Sequence, residues 1–158
     1  MNVRNPLVIL ISIPFLFNIG AVYSAPPNYP HALGYVVAQI RYVGWMGELC
    51  SERFPEMKGQ NTSSYLAWKE KNRMFIDEME GYLAKASERL RALSPDGADL
   101  GSFIDAQKES LKQENEARGD KTYRWMCERY PGRIASDTND LESALAESVA
   151  IVRRGPDG

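Results

Sequence analysis

TSSYLAWKEKNRMFIDEMEGYLAKASERLRAL, residues 62–93, is the stretch of sequence that decides the fold. Apolar side chains recur in it at spacings of three and four residues, which places them on one face of a helix. The positions on this face are Tyr65, Trp68, Asn72, Phe75, Met79, Tyr82, Ala86, Leu90 and Leu93. About eight turns, or roughly 45 Å of helix, therefore carry one mainly apolar side that must pack against other helices.

The segments before this helix predict a second long helix and a short loop. Helix one is expected from His31 to Phe54, because Pro55 cannot continue a helix. A loop is expected over residues 56–61, with Thr62 or the serine after it as the N-cap of helix two. The same region holds the sequon Asn-Thr-Ser at 61–63, which we interpret as an unmodified helix cap.

The segments after it predict two more helices. Ser-Pro-Asp-Gly at 94–97 has the composition of a turn, so the chain reverses there. Helix three is expected over 99–130, with a candidate interruption at Gly119 and an end at Pro131. The last helix is expected to start after Asn139. The predicted fold is an all-α, small antiparallel bundle of about four helices.

The N-terminal segment has the pattern of an export signal. Arg4 precedes an apolar run at 7–17, and small residues precede the expected cleavage after Ser24. The run is shorter than the roughly 20 residues that span a bilayer. We therefore expect residues 1–24 to be a removed signal peptide, although an uncleaved anchor is the alternative. The mature protein, 25–158, would then be periplasmic or secreted and not held in a membrane.

The mature chain is expected to form a single helical domain with irregular ends. Three prolines among residues 25–30 predict an extended leader, because proline removes a backbone donor and restricts its neighbours. Residues 153–158 are expected to fray. Between these ends the sequence shows no linker long enough to separate two domains.

The two cysteines predict a structural disulfide between Cys50 and Cys127. Two cysteines in an exported chain most simply pair with each other. In an antiparallel bundle the ends of helices one and three meet at one pole, and each cysteine lies one turn from such an end. A redox-active pair is the alternative, but such pairs normally use a CxxC spacing that neither cysteine has.

The two cysteine segments resemble each other. CSERFP at 50–55 and CERYP at 127–131 both follow a Trp-Met pair. The similarity is too short to establish an internal duplication. A helix end needs a residue that packs and then one that stops the helix, and this shared demand could produce both segments.

Composition and charge argue against most enzyme and nucleic-acid functions. The chain carries 19 basic and 21 acidic residues, so no bulk charge attracts nucleic acid. Its one histidine, His31, lies beside the proline-rich leader, where a general base would be poorly held. Glu48 and Glu78 are the only carboxylates that we consider for a hydrolase site. No catalytic residue, cofactor or metal site is predicted, and we expect the protein not to be an enzyme.

Helix one supplies the candidate partner surface. It has two apolar sides, of which one carries Tyr35, Tyr42, Trp45 and Leu49. Two interpretations are open. Helix one is sandwiched between the other helices, since buried helices are apolar all round. Otherwise this side is a surface that docks a protein partner or a second copy of the chain, because aromatic residues with polar tips are favoured at interfaces.

Asn72 is the candidate polar residue of the core. It lies between Trp68 and Phe75 on the apolar face, so its amide is expected to be buried and bonded to a neighbouring helix or to backbone near the Cys50 end of the bundle. It would then set the register of packing or contribute to a ligand pocket.

The sequence as a whole predicts a non-enzymatic exported protein that acts by binding, most simply to another envelope protein. A structural or stress-related envelope protein without a discrete ligand is the alternative. A small hydrolase comes third.

Overall fold

The computed structural model describes residues 28–93, 100–136 and 140–156, and this part of the chain is helical without strands. Its helices are α1 (Tyr29–Arg53), α2 (Lys58–Lys71), α3 (Arg73–Leu93), α4 (Leu100–Ala117), α5 (Asp120–Ala135), α6 (Leu141–Ala144) and α7 (Ala146–Arg154). A 3₁₀ turn, Pro55–Met57, joins α1 to α2. The all-α prediction is confirmed, but the expected four helices are seven in the described ranges.

Several predictions concern residues outside these ranges. They are the signal peptide at 1–24, the first part of the leader and the turn at 94–97. These remain predictions.

The first helix begins earlier than the sequence predicts. The side chain of Asn28 accepts a hydrogen bond from the backbone N–H of His31 at 3.2 Å, and so caps the N-terminus of α1. Pro30 lies in the first turn, where its missing N–H would have no helical partner in any case. The leader predicted over 25–30 is therefore wrong for Tyr29 and Pro30.

The long helix predicted over 62–93 starts earlier and is divided in two. Lys58 begins α2 directly after the 3₁₀ turn, with no side-chain cap, so the predicted loop and its Thr62 cap are wrong. The division falls at Asn72, whose backbone has φ −101° and ψ 11°. Its side-chain Nδ2 donates to the carbonyl of Trp68 at 2.8 Å, and this type of competition with the backbone bends helices.

The third predicted helix is also divided, at the expected place. Gly119 has φ +82° and separates α4 from α5, which confirms the predicted interruption. Pro131 does not end the helix, however, because α5 continues to Ala135. Pro131 is buried, and Ile134 beyond it is 7% exposed. Packing beyond the proline therefore keeps the last turn helical.

The C-terminal part of the described chain is tied down by charged groups. Asp140 caps α6 by accepting from the backbone N–H of Glu142 at 3.2 Å. Arg153 donates to Glu78 at 2.7 Å and lies 2.8 Å from the carboxylate of Glu142. The fraying predicted from residue 153 onward is therefore wrong for Arg153, which α7 holds against α3.

The core is organised around α1. This helix contacts α2, α3, α4, α5 and α7, and its buried residues lie on several sides of it. The Sγ atoms of Cys50 and Cys127 are 2.02 Å apart and their Cα atoms 5.4 Å apart, so a disulfide joins α1 to α5 as the sequence predicts. Within the described ranges, none of the helices combines the length and the apolar character that crossing a bilayer requires.

Candidate functional site

The predicted partner surface on helix one is mostly packed against the core. Leu49 is 3% exposed, and Tyr35, Tyr42 and Trp45 are partly buried against neighbouring helices. Burial raises the pKa of the Tyr42 hydroxyl to about 12. The prediction is therefore wrong for Leu49, and the central position of α1 agrees with the sandwiched alternative.

Asn72 is not the buried polar residue of the core. It is partly buried, and its amide bonds to the preceding turn of its own helix rather than to a neighbouring one. The buried polar side chains of the described residues are Gln39, Asn61, Asn115 and Ser148. The prediction that Asn72 is the buried asparagine is therefore wrong, because Asn61 and Asn115 are the buried ones in the described ranges.

A pocket of about 410 Å³ lies between α1 and α2. Its wall on the α1 side includes the backbone of Gly44 and Gly47, and its wall on the α2 side includes Tyr65. A Cβ atom on Gly44 would lie 3.0 Å from Oη of Tyr65. The absence of side chains at these glycines therefore allows the tyrosine ring to approach the α1 backbone closely.

Behind this wall, Tyr130 fixes α5 to α1. A Cβ atom on Gly47 would lie 2.6 Å from Oη of Tyr130, which is too close for any real contact. The Tyr130 hydroxyl donates to the carbonyl of Val43 at 2.9 Å. Its pKa is raised, mainly by burial, so this hydroxyl remains a proton donor at neutral pH.

Asn61 is the most unusual residue of the pocket. It lines the pocket, yet it is only 1% exposed. Neither Nδ2 nor Oδ1 has a hydrogen-bond partner within the part of the chain that the structure describes. Most buried polar side chains in native proteins are hydrogen-bonded, so this pair of unpartnered atoms requires an explanation. Asn61 also lies inside α2, so the predicted helix-cap interpretation of its sequon is wrong.

Charged groups surround the pocket mouth. The carboxylate of Glu48 accepts from Nζ of Lys108 at 2.6 Å and is thereby neutralised. Glu52 and Lys58 are both exposed and have opposite charges. Neither forms an ion pair among the described residues. Glu52 and Lys58 are therefore charged groups at the pocket that face solvent.

The outer face of α5 is a second candidate surface. Trp125 is 42% exposed, and the guanidinium of Arg129 lies 4.2 Å from the centre of its ring. The guanidinium of Arg133 lies 6.0 Å from the same ring. Both distances fall within the range of cation–π attraction, so the two arginines hold the indole in place.

This face adjoins the predicted aromatic surface of helix one. Tyr42 and Arg133 interact electrostatically, and burial lowers the pKa of the Arg133 guanidinium. The spacing of α5 contains the signal for this surface. Trp125 follows the buried Tyr123 by two residues, which places it on the opposite side of the helix.

The residues considered for hydrolysis are not arranged as an acid–base pair. Glu48 is engaged by Lys108, and the hydrogen bond from Arg153 lowers the pKa of the Glu78 carboxyl. A general acid in a glycosidase needs a raised pKa, which is the opposite shift. Nδ1 of His31 lies 2.7 Å from Oδ1 of Asn28 in an exposed position, so its partner is an amide and not either carboxylate. Among the described residues, no group of histidine, cysteine and acidic side chains could hold a metal ion.

Comparison of the chain with protein families, with curated proteins and with solved structures finds no match.

Proposed function

We propose that this protein is an exported, non-enzymatic binding protein that docks an acidic protein partner through the outer face of α5. The observation that carries the proposal is the exposed indole of Trp125, with the guanidinium groups of Arg129 and Arg133 at 4.2 and 6.0 Å from the centre of its ring. Tryptophan and arginine are the residue types most enriched among interface residues whose truncation costs most affinity.

Charge favours an acidic partner. The whole chain has a formal net charge of −2, whereas the exposed side chains of α5 include more bases than acids. The basic residues of α5 are Lys121, Arg124, Arg129 and Arg133, and its acidic residues are Asp120 and Glu128. Two of these residues are already paired, Asp120 with Arg53 at 2.6 Å and Arg124 with Glu56 at 2.8 Å, so Lys121, Arg129 and Arg133 remain against Glu128. A local basic surface on an acidic protein attracts and orients acidic partners.

The support behind this face is rigid. The inner side of α5 contains the disulfide cysteine Cys127, and Met126 and Tyr130 are buried beside it. A helix that is already fixed in place loses little conformational entropy when a partner binds. The outer face of α5 therefore presents Trp125 from a helix that the core holds in place.

The expected compartment agrees with this proposal. The predicted signal peptide and the disulfide are both typical of exported proteins. A structural or stress-related envelope protein without a discrete ligand is the alternative, and it gives no reason for an exposed tryptophan beside two arginines. The hydrolase alternative needs a carboxyl with a raised pKa, and the pKa of Glu78 is lowered.

A crosslinking and affinity experiment tests the proposal. A photoreactive amino acid at position 125 should crosslink to a discrete partner in an envelope extract, which is then purified. We expect Trp125→Ala to weaken its binding by at least about tenfold, the effect of a residue worth more than about 1.4 kcal/mol at an interface.

The matched control is Leu66→Ala, which removes another exposed apolar side chain (58% exposed) on a different helix. It should leave the affinity unchanged. Raising the salt concentration should weaken binding to the intact protein, because it screens charge attraction. Equal losses for both variants, or an affinity that does not respond to salt, would refute docking of an acidic partner on α5.

A further inference from the structure

We infer that the acidic partner places an aromatic side chain on the exposed backbone of Gly132, within the docking face of α5. This inference rests on the proposed function, because it names the kind of residue that the same face receives. Three observations support it. Gly132 lies on the same side of α5 as Trp125, the space outside it is open, and two other glycines of this protein receive tyrosine rings.

Gly132 lies on the outer side of α5, in line with Trp125. Seven residues separate the two, which is almost two full helical turns, or about 10 Å along the helix axis. Gly132 is exposed, whereas Pro131 and Ile134 beside it are buried. The exposed indole and the bare glycine backbone are therefore parts of one surface.

The space outside Gly132 is open. Its two chain neighbours aside, a Cβ atom on this glycine would meet no side chain within 4 Å. Arg133 follows Trp125 by eight residues, or about 12 Å along the axis, yet its guanidinium lies 6.0 Å from the centre of the indole ring. The side chain of Arg133 therefore runs back along α5, as that of Arg129 does. Both guanidinium groups lie at the Trp125 end of the open space, and the glycine itself stays uncovered.

The packing of α1 shows what an uncovered glycine receives in this protein. A Cβ atom on Gly44 would lie 3.0 Å from Oη of Tyr65, and one on Gly47 would lie 2.6 Å from Oη of Tyr130. In both cases a tyrosine ring from a neighbouring helix occupies the place that a side chain would fill. Gly132 presents the same bare backbone on an outer face. An aromatic side chain, a type of residue favoured at interfaces, therefore fits there.

The charges beside Gly132 determine what accompanies the aromatic residue. Burial is the main cause of the lowered pKa of the Arg133 guanidinium, and the positive charge of Arg129 contributes to it. Two like charges thus lie near each other, and a carboxylate that binds beside them relieves their repulsion. Carboxylates also match the planar guanidinium group in two parallel hydrogen bonds. The partner segment is therefore expected to carry acidic residues next to its aromatic residue.

The test uses synthetic peptides, acetylated and amidated at their ends, as probes. The first, EEAYAEE, carries acidic residues on both sides of its tyrosine, so it can bind in either chain direction. We expect it to cause saturable shifts of the backbone amide signal of Gly132 and of the indole N–H signal of Trp125 in NMR spectra. EEAAAEE lacks the aromatic ring and KKAYAKK reverses the charge, so both should bind at least about tenfold more weakly.

Variants of the full chain locate the aromatic contact. Gly132→Leu fills the open space and should weaken binding of EEAYAEE by at least about tenfold, and Gly132→Ala should weaken it less. Both variants should keep or raise the melting temperature, because leucine and alanine favour helices more than glycine does. A loss of affinity without a loss of stability separates this effect from unfolding. The matched control is Gly34→Leu, which fills an equally open position on α1 and should leave the affinity unchanged.

Three results would overturn the inference. They are a titration with EEAYAEE that gives no saturable shifts at millimolar concentrations, equal affinities of the wild type and Gly132→Leu, and equal affinities for EEAYAEE and EEAAAEE. The proposed function is tested separately, by the effect of Trp125→Ala on binding of the crosslinked partner. A loss of affinity there, together with any of these three results, would leave docking on α5 in place and refute only the aromatic contact at Gly132.

Discussion

Two short segments with nearly the same sequence adopt different structures in this protein. CSERFP at 50–55 and CERYP at 127–131 each contribute one cysteine to the disulfide, and each ends in an aromatic residue followed by proline. Pro55 comes directly after the end of α1 and begins a 3₁₀ turn, whereas Pro131 lies inside α5. The same local signal therefore ends one helix and leaves the other intact.

Packing around each proline explains the difference. Pro55 is exposed, and the three residues that begin with it form a 3₁₀ turn instead of a further turn of α1. Pro131 is itself buried, and the buried Ile134 follows it by one turn. The aromatic partners differ as well. Phe54 packs edge-on against Tyr123 with ring centres 5.6 Å apart, whereas the Tyr130 hydroxyl bonds to α1. Tertiary packing thus overrides the preference of proline for helix ends.

Removing the disulfide between the two segments should have the largest effect on the free energy of unfolding. The disulfide closes a sequence separation of 77 residues, which is worth roughly 4–5 kcal/mol in the chain-entropy model. We expect the double variant Cys50→Ala/Cys127→Ala to lose most of this free energy of unfolding, as measured by urea denaturation. Oxidised and reduced wild-type protein provide the control. A loss below about 1 kcal/mol would mean that packing alone joins the segments.

A smaller loss of the free energy of unfolding should follow from crowding Tyr130, which packs the second segment against α1. In Gly47→Ala the new Cβ would lie 2.6 Å from Oη of Tyr130, so the ring must move. Overpacking of this kind costs about 1–3 kcal/mol, of which the higher helix propensity of alanine returns up to about 1.

The control for this variant is Gly34→Ala on the same helix, where a Cβ would meet nothing within 4 Å. It should keep or slightly raise the free energy of unfolding measured by urea denaturation. In a Tyr130→Phe background the cost of Gly47→Ala should shrink, since the closest atom is gone. Equal stabilities of Gly47→Ala and Gly34→Ala would show that Tyr130 does not hold the segments together.

Replacing each of the two prolines with alanine should change the free energy of unfolding in opposite directions. Pro131→Ala introduces an N–H that can bond to the carbonyl of Cys127, so we expect it to stabilise the protein by about 1 kcal/mol. This gain is smaller than the roughly 3 kcal/mol by which proline disfavours a helix interior, because the buried ring also loses contacts. Pro55→Ala should destabilise by about 0.5–1 kcal/mol through the greater freedom of its unfolded chain. The free energy of unfolding of both variants is measured by urea denaturation under one set of conditions. Changes of the same sign would refute this interpretation.

The comparison also shows what could be predicted from the sequence. The all-α fold and the cysteine pairing follow from helical periodicity and from the positions of helix ends, which are local properties. The division at Asn72 could not be found in the same way, because the apolar spacing continues through it. Its cause is a hydrogen bond from the side chain to the Trp68 carbonyl, and periodicity does not contain that information.

The candidate sites were missed for reasons that the sequence partly contains. Asn61 precedes Tyr65 by four residues and Trp68 by seven, so it continues the apolar face of α2 one turn backwards. The prediction of a loop at 56–61 assigned Asn61 to no helix. Its place on the apolar face of α2 was therefore missed. Trp125 could be recognised from its spacing to Tyr123. Whether it is exposed depends on which side of α5 packs on α1 and α2, and this requires the tertiary structure.

The smallest expected effect on stability comes from an exposed ion pair. It joins the residue that follows the first segment to the helix that contains the second. Glu56 accepts from Arg124 at 2.8 Å. Its pKa is lowered, first by a bond from its own backbone N–H and then by Arg124. A lowered folded-state pKa means that the stabilisation is present above the ordinary pKa of the carboxyl and is lost as the pH falls through the lowered value. Because the pair is exposed, we expect Glu56→Gln to lower the melting temperature at pH 7 by no more than about 1 °C.

This difference between Glu56→Gln and the wild type should shrink as the pH falls below the ordinary range of the carboxyl, and it should also shrink at 0.5 M salt because screening weakens exposed ion pairs. Glu128→Gln is the control within the second segment, since Glu128 is exposed and forms no ion pair among the described residues. It should leave the melting temperature unchanged at neutral and at acidic pH. A loss of several degrees for Glu56→Gln at pH 7 would show that surface charge, and not the buried contacts around Tyr130, governs how the segments are held together.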